Sequence, residues 1–165
     1  MFVRSFAARS ALVLSCALMT SAPAAAQFWQ CVTYARSVSG IQIRGNANTW
    51  WGQAAGRYAR GHTPKVGAVL AFDATRRMRV GHVATVAAVV SDREVVLDHA
   101  NWSRPGRAET ARAIDVSPAN DWTEVRVQFG GAMGTSSYPT RGFIYAEREG
   151  AATDVAAVAD ADPRG

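Results

Sequence analysis

Three kinds of side chain in this sequence could do chemistry together. Cys31 lies in Phe28-Trp29-Gln30-Cys31-Val32-Thr33-Tyr34-Ala35-Arg36, at what reads as the start of a short helix. His82 follows Gly81 inside a strand-like run, and His99 and Asn101 end another run, Asp98-His99-Ala100-Asn101-Trp102. A thiol at a helix start, then an imidazole, then a polar third group is the order of parts for nucleophilic hydrolysis of an amide. The positive end of a helix lowers a thiol's pKa, and a neighbouring imidazole takes its proton. The third group holds the imidazole's far nitrogen.

Each residue also has a plain structural reading. A histidine after glycine in a strand can simply bond a carbonyl. Asn101 can end a strand and begin a turn, and His99 can pack against Trp102. The cysteine usage weighs on the side of chemistry. The chain has Cys16 and Cys31, and Cys16 falls in a segment that reads as a signal peptide, residues 1–26. There Arg4 and Arg9 precede the apolar run Ala11–Met19, and Ala24-Ala25-Ala26 offers a small-residue cleavage site before Gln27. The run is short of the ~20 residues a spanning helix needs. Secreted or periplasmic localisation follows, with Val13-Leu14-Ser15-Cys16 as a loose lipoprotein alternative. An exported domain left with one cysteine has no internal disulfide to make. Cys31 is then a buried inert thiol, an intermolecular bridge or a nucleophile.

Zinc ligation by Cys31, His82, His99 and Asp98 is chemically conceivable. However, no CxxC or HxxxH pair is present, and Asp98 and His99 face opposite sides of a strand. Charge is a weaker guide. There are 18 basic and 13 acidic residues, a net charge of +5, and Lys65 is the sole lysine. Such a balance suits an anionic partner such as a cell-wall polymer. Arg76-Arg77-Met78-Arg79 is the one cluster, and no nucleic-acid motif accompanies it, so nucleic acid is not expected.

The elements that must position these groups follow from periodicity. Gln30 to Ser39 reads as a helix stopped by Gly40, and Ile41-Gln42-Ile43 as an extended piece. A second helix lies within Asn46 to Ala55, capped by Asn46 or Asn48 and stopped by Gly56. Trp50 and Trp51 are core anchors or the wall of a substrate cleft. Strands are expected at Val66–Phe72, Gly81–Val90, Glu94–Asn101, Ala111–Val116, Glu124–Phe129 and Gly142–Tyr145. Residues 27–149 make one domain, and the Ala/Asp/Val-rich 150–165 reads as a disordered tail. Helices first and strands afterwards predict an α+β domain, with N-terminal helices packed on an antiparallel β-sheet. Strand parity puts His82 with Ala84, Val86 and Ala88, and His99 with Val95, Leu97 and Asn101. The Cys31 helix is expected across the His82 face.

Several segments, in order, resemble a known family: Gln30-Cys31-Val32-x-Tyr34-Ala35, Asn48-x-Trp50, Pro64-Lys65-Val66-Gly67-Ala68-Val69, Gly81-His82-Val83-Ala84-x-Val86, Ala100-Asn101-Trp102 and Arg141-Gly142-Phe143-Ile144. The chain resembles the CHAP domain, the cysteine- and histidine-dependent amidohydrolase/peptidase group related to NlpC/P60 and papain-like folds. The resemblance implies hydrolysis of amide bonds in bacterial peptidoglycan, between peptide residues or between N-acetylmuramate and L-alanine. Many members carry glutamate where this chain has His99, whereas the NlpC/P60 group often uses histidine as its third polar residue. In this reading Cys31 attacks, His82 is the base, and His99 contacts its far nitrogen with Asn101 in support. Gln30 is a candidate second oxyanion donor, while Trp50 and Trp102 are candidate substrate contacts. No cofactor or metal is required. A non-hydrolytic cell-wall or anion-binding module is the alternative, and oligomeric state is left open.

Overall fold

The computed structural model describes residues 27–148. The segments read as a signal peptide (1–26) and a tail (150–165) lie outside those residues. Two short helices come first, α1 (Cys31–Ser39) and α2 (Trp50–Ala54), the second entered through a 3-10 turn at Ala47–Thr49. The strands are β1 (Arg60–Gly61), β2 (Val69–Phe72), β3 (His82–Ser91), β4 (Glu94–Ala100), β5 (Ala108–Asp115), β6 (Glu124–Phe129) and β7 (Ala132–Ile144). No helix among the described residues is long and apolar enough to cross a membrane.

The strands run in the order β1-β7-β2-β3-β4-β5-β6, and β7 also pairs with β6. All pairings are antiparallel, so the sheet closes into a barrel. This corrects the expected α+β arrangement of papain-like type, with N-terminal helices layered on an open sheet. The physical reason lies in β7. Its first half pairs with β6, from Phe129↔Ala132 to Glu124↔Pro139. Its second half pairs with β2, from Phe72↔Thr140 to Val69↔Ile144, with a register shift between Ala71 and Phe72. The Gly/Ser/Pro-rich stretch 130–139 reads as punctuation in the sequence, yet most of it is the strand that joins the two edges. Closing the edges satisfies backbone groups that an open sheet would leave to water.

Two apolar clusters show which face is which. Leu70, Phe72, Ala84, Val86, Val95, Leu97, Ala111, Trp122, Val125 and Phe143 fill the barrel. Val69, Ala71, Val83 and Ile144 point outward and meet Ala35, Ile41, Ile43, Trp50 and Ala54 from the helical segment. Trp50 is completely buried there. Its removal from water is worth at most roughly 5 kcal/mol. Trp50 is therefore a core anchor under the helices, and the structure does not place it at a cleft as the substrate-contact reading required.

Helix α1 starts without a side-chain cap and ends at Gly40, whose φ of 74° suits the left-handed stop. Its weak helix formers bond back to the turn before them: Thr33 Oγ1 donates to the Gln30 carbonyl and Ser37 Oγ to that of Tyr34. Packing of Ala35 against Val83 and its neighbours then holds the helix to the barrel wall.

Gly142 tests the closure. It has φ of 108°, and a Cβ there would sit 2.5 Å from the Gly61 carbonyl oxygen. Gly142→Ala should cost roughly 2–4 kcal/mol, combining left-handed strain with a backbone clash. Urea denaturation of both proteins measures this; a loss under about 1 kcal/mol would contradict the joint described.

Candidate active site

Parity along β3 and β4 places His82 and His99 on the barrel's inner face, beside Ala84 and Leu97. The expected helix across that face is absent, because Ala84 and Val86 are core residues of the barrel itself. Helix α1 lies instead on the opposite, Val83 face. Cys31 reaches the site around the mouth of the barrel, where its sulfur meets the backbone N–H of Val83, the residue after His82. Cys31 and His82 both line one cleft of ≈ 370 Å³.

The two histidines are joined directly. His82 Nε2 lies 3.0 Å from His99 Nδ1, and both rings are buried, at 4% and 1% exposure. Trp102 covers the pair, its ring centre 4.9 Å from that of His82 and 5.6 Å from that of His99. Its indole N–H donates to the Gln128 carbonyl, which fixes the ring over them. Phe72 meets His82 edge-on. Gly81 sets the approach: with φ of 70°, its backbone comes so close to Phe72 and Asn48 that a Cβ would lie 2.7 Å from the Phe72 carbonyl oxygen.

Burial dominates the electrostatics. It pushes the His82 pKa well below the ordinary imidazole value, with the neighbouring His99 a smaller cause in the same direction. It lowers His99 to about 4, while the Glu109 carboxylate, His99's register partner on β5, pulls it back upward. Burial also raises the Cys31 thiol, outweighing the lowering by the backbone N–H groups of Val83, Val32 and Cys31 itself. Burial thus opposes charge on the thiol and on both imidazoles, although the sequence argument expected the helix end to lower the thiol.

Hydrogen-bond inventory then assigns the protons. For His82 to receive a proton at Nδ1, its Nε2 must carry hydrogen and donate to His99 Nδ1. His99 is then protonated at Nε2, an atom that is buried without a hydrogen-bond partner. Glu109 supplies the nearby negative charge; its carboxylate accepts from the Ser103 and Arg104 N–H groups and from Ser103 Oγ.

Asn101 is placed at the cleft but not on His82. It adopts φ of 61° just after β4. Its Oδ1 accepts from the Gly106 N–H, so Nδ2 is the end that donates to Gln30 Oε1 at 3.2 Å. That orientation leaves the Gln30 Nε2 donor with no protein partner among the described residues. Asp98, on the outer face, accepts from the Tyr34 hydroxyl at 2.9 Å and so ties α1 to β4. Burial, then the bonded carboxylate, pushes the Tyr34 pKa up to about 12. Tyr34, Glu109 and the cleft-lining Tyr138 and Phe129 were not singled out from the sequence. Glu109 fell outside the strand expected from residue 111, and only the β4–β5 register reveals it. Among the described residues, no group of three or more His, Cys, Asp or Glu could hold a metal ion.

A crystal structure of an N-acetylmuramoyl-L-alanine amidase from Staphylococcus aureus is 26% identical, with a TM-score of 0.48, and the match covers 67% of this chain and 30% of that one. The chain thus spans less than a third of that protein's length. No curated protein matches. The family model of the CHAP domain, the family that the motifs resemble, matches residues 22–101, a span that includes Cys31, His82, His99 and Asn101.

Proposed function

We propose that this protein is an exported, thiol-dependent amidohydrolase that cuts amide bonds in bacterial peptidoglycan. One observation carries the reading. The Cys31 sulfur sits at the head of α1 against the Val83 N–H, in the same cleft as His82, whose far nitrogen is held by His99. The CHAP match supports a hydrolase with this pair of residues.

Burial that opposes charge on thiol and imidazole sets the mechanism. Proton transfer from Sγ to His82 Nδ1 accompanies attack on the substrate carbonyl, rather than preceding it as a standing ion pair. His82 then gives the proton to the leaving amine, and a water activated by the same imidazole releases the acyl group. The N–H groups near Sγ belong to the head of a helix and to β3, and they suit the developing oxyanion. Gln30 Nε2 is the second donor, held in place by Asn101 through its Oε1. Trp102 lies over His82 at a distance that favours the transient imidazolium.

Cys31→Ser and His82→Ala should each lower kcat roughly a thousandfold or more on purified sacculi, and the double variant should be no worse than either single one. His99→Ala should lose about tenfold to a hundredfold, since a neutral imidazole orients the base without a full charge. Asp98→Asn should cost less than His99→Ala, because Asp98 anchors Tyr34 on the other face. Mass spectrometry of released muropeptides identifies the bond. Substantial turnover in Cys31→Ser would sink the thiol mechanism.

Gln30→Ala should cost up to about a hundredfold in kcat, the scale of a lost oxyanion donor. If Asn101 works through Gln30, the double variant with Asn101→Ala should lose no more than Gln30→Ala alone. Additive losses in that double-mutant cycle would separate the two residues.

Acid should destabilise the fold through the same pair. Both imidazoles are depressed in the folded state, so the unfolded chain binds more protons below its ordinary value of about 6.5. Their contribution is complete above that pH and falls as pH drops from about 6.5 toward 4. For His99 alone the loss reaches about 3 kcal/mol. Urea midpoints across this window should fall steeply for the wild type and less steeply for His99→Gln.

A further inference from the structure

The loop between β2 and β3 forms one rim of the cleft and carries Arg77 and Arg79. Both are exposed, and among the described residues neither forms an ion pair or meets a carboxylate. By contrast, Arg104, Arg112 and Arg141 have acidic partners in Glu109, Glu94 and Asp73. Among the described residues, no aspartate or glutamate lines the cleft, and its formal charges are the two guanidinium groups on the rim it shares with Cys31 and His82.

The rim is ordered. Thr75 and Met78 exchange backbone hydrogen bonds at 3.0 and 3.2 Å, and the Gly81 N–H returns to the Met78 carbonyl at 3.0 Å. The Asn48 N–H donates to the Val80 carbonyl at 2.8 Å, pinning the loop to the helical side. Met78, between the two arginines, packs against the barrel core. Each arginine therefore flanks an anchored residue, and little chain entropy is lost when a ligand engages both.

We infer that Arg77 and Arg79 form a carboxylate-reading subsite, so that the preferred substrate is a wall peptide carrying a free carboxylate near the scissile amide, rather than its amidated counterpart. The inference rests on the hydrolase reading of the same cleft and adds the substrate class to it. A guanidinium fork matches a carboxylate with two parallel N–H···O bonds and a full charge. A carboxamide presents one acceptor oxygen and a donor pair that faces the cation unfavourably. An acid-free cleft adds no competing negative charge.

The test uses two disaccharide-peptides identical except at the second stem residue, one with a D-glutamate α-carboxylate and the other with the corresponding amide. The mature wild-type protein should show about a tenfold higher kcat/KM on the carboxylate form, residing mainly in KM. In Arg77→Gln/Arg79→Gln the ratio between the two peptides should collapse toward one. Arg77→Lys/Arg79→Lys should keep part of it, and added salt should erode it because the rim is exposed. Calorimetric binding of both peptides to Cys31→Ala reads the preference without turnover. A retained preference there with no hydrolysis by the wild type overturns the hydrolase reading and upholds the subsite. Equal affinity for the two peptides, or equal losses on both in the glutamine variant, overturns the subsite even where both peptides are cut.

Discussion

The hydrogen bond between His82 and His99 is the constraint on which the site depends. Two imidazoles are held out of water with one bond between them. A buried polar group is tolerated only when its partners are fixed. Here the partners are fixed by strand geometry. His82 opens β3, His99 lies near the end of β4, and the pairing of Thr85 with Asp98 brings those two ends together. Trp102, Phe72 and Tyr138 close around them in a chain of ring contacts. The barrel mouth is thereby an aromatic box built around a proton-accepting pair. Closure by β7 matters for the same reason, since Tyr138 arrives on the strand that joins the two sheet edges.

Burial that shapes the imidazoles also acts on the Cys31 thiol. A helix end and three backbone N–H groups favour a thiolate at Cys31, but loss of water opposes it and is the larger effect. The same loss of water makes an imidazolium at His82 costly. Neither group carries a charge alone at low cost; in the proposed reaction, charge forms together with the developing oxyanion that balances it. A neutral thiol is also less open to oxidation than a standing thiolate.

Much of this site was legible in the sequence. A cysteine at a helix start and alternating apolar runs around His82 and His99 marked Cys31 and His82, which share the cleft, and His99, which bonds His82 behind it. Parity along β4 placed Asp98 opposite His99, and in the structure Asp98 bonds Tyr34 on the outer face. Other features were hidden for physical reasons. A Gly/Ser/Pro-rich stretch reads as a loop by propensity, but long-range pairing with β6 and β2 makes it β7, and this changes the architecture from a layered sheet to a closed barrel. Face parity cannot say which face is the inside until the sheet is known to close. The helix was therefore assigned to the His82 side, although Ala84 and Val86 belong to the barrel core. Trp50 illustrates the same limit: a tryptophan two residues from an asparagine is equally readable as cleft or core until its neighbours are known.

The position of α1 explains how a helix on the outer wall can bring Cys31 to the same cleft as His82 on the inner face. Successive strand residues point to opposite sides, so Val83 faces the helix while His82 faces the barrel. At the open end of β3 this separation disappears, because the strand begins at His82 and Gly81 turns the chain away in a left-handed conformation. The helix needs to reach only the first residues of the strand, and its own first residue is Cys31. Tyr34, one turn further along, bonds Asp98 on β4 and fixes the helix along its length. Gln30, one residue before the helix, is tied through Asn101 to the loop after β4. The head of α1 is thus held on three sides, by Val83, Asp98 and Asn101, all of them on strands that carry the two histidines or directly beside one. Cys31, His82 and His99 are thereby tied to one another through β3, β4 and the loop after β4.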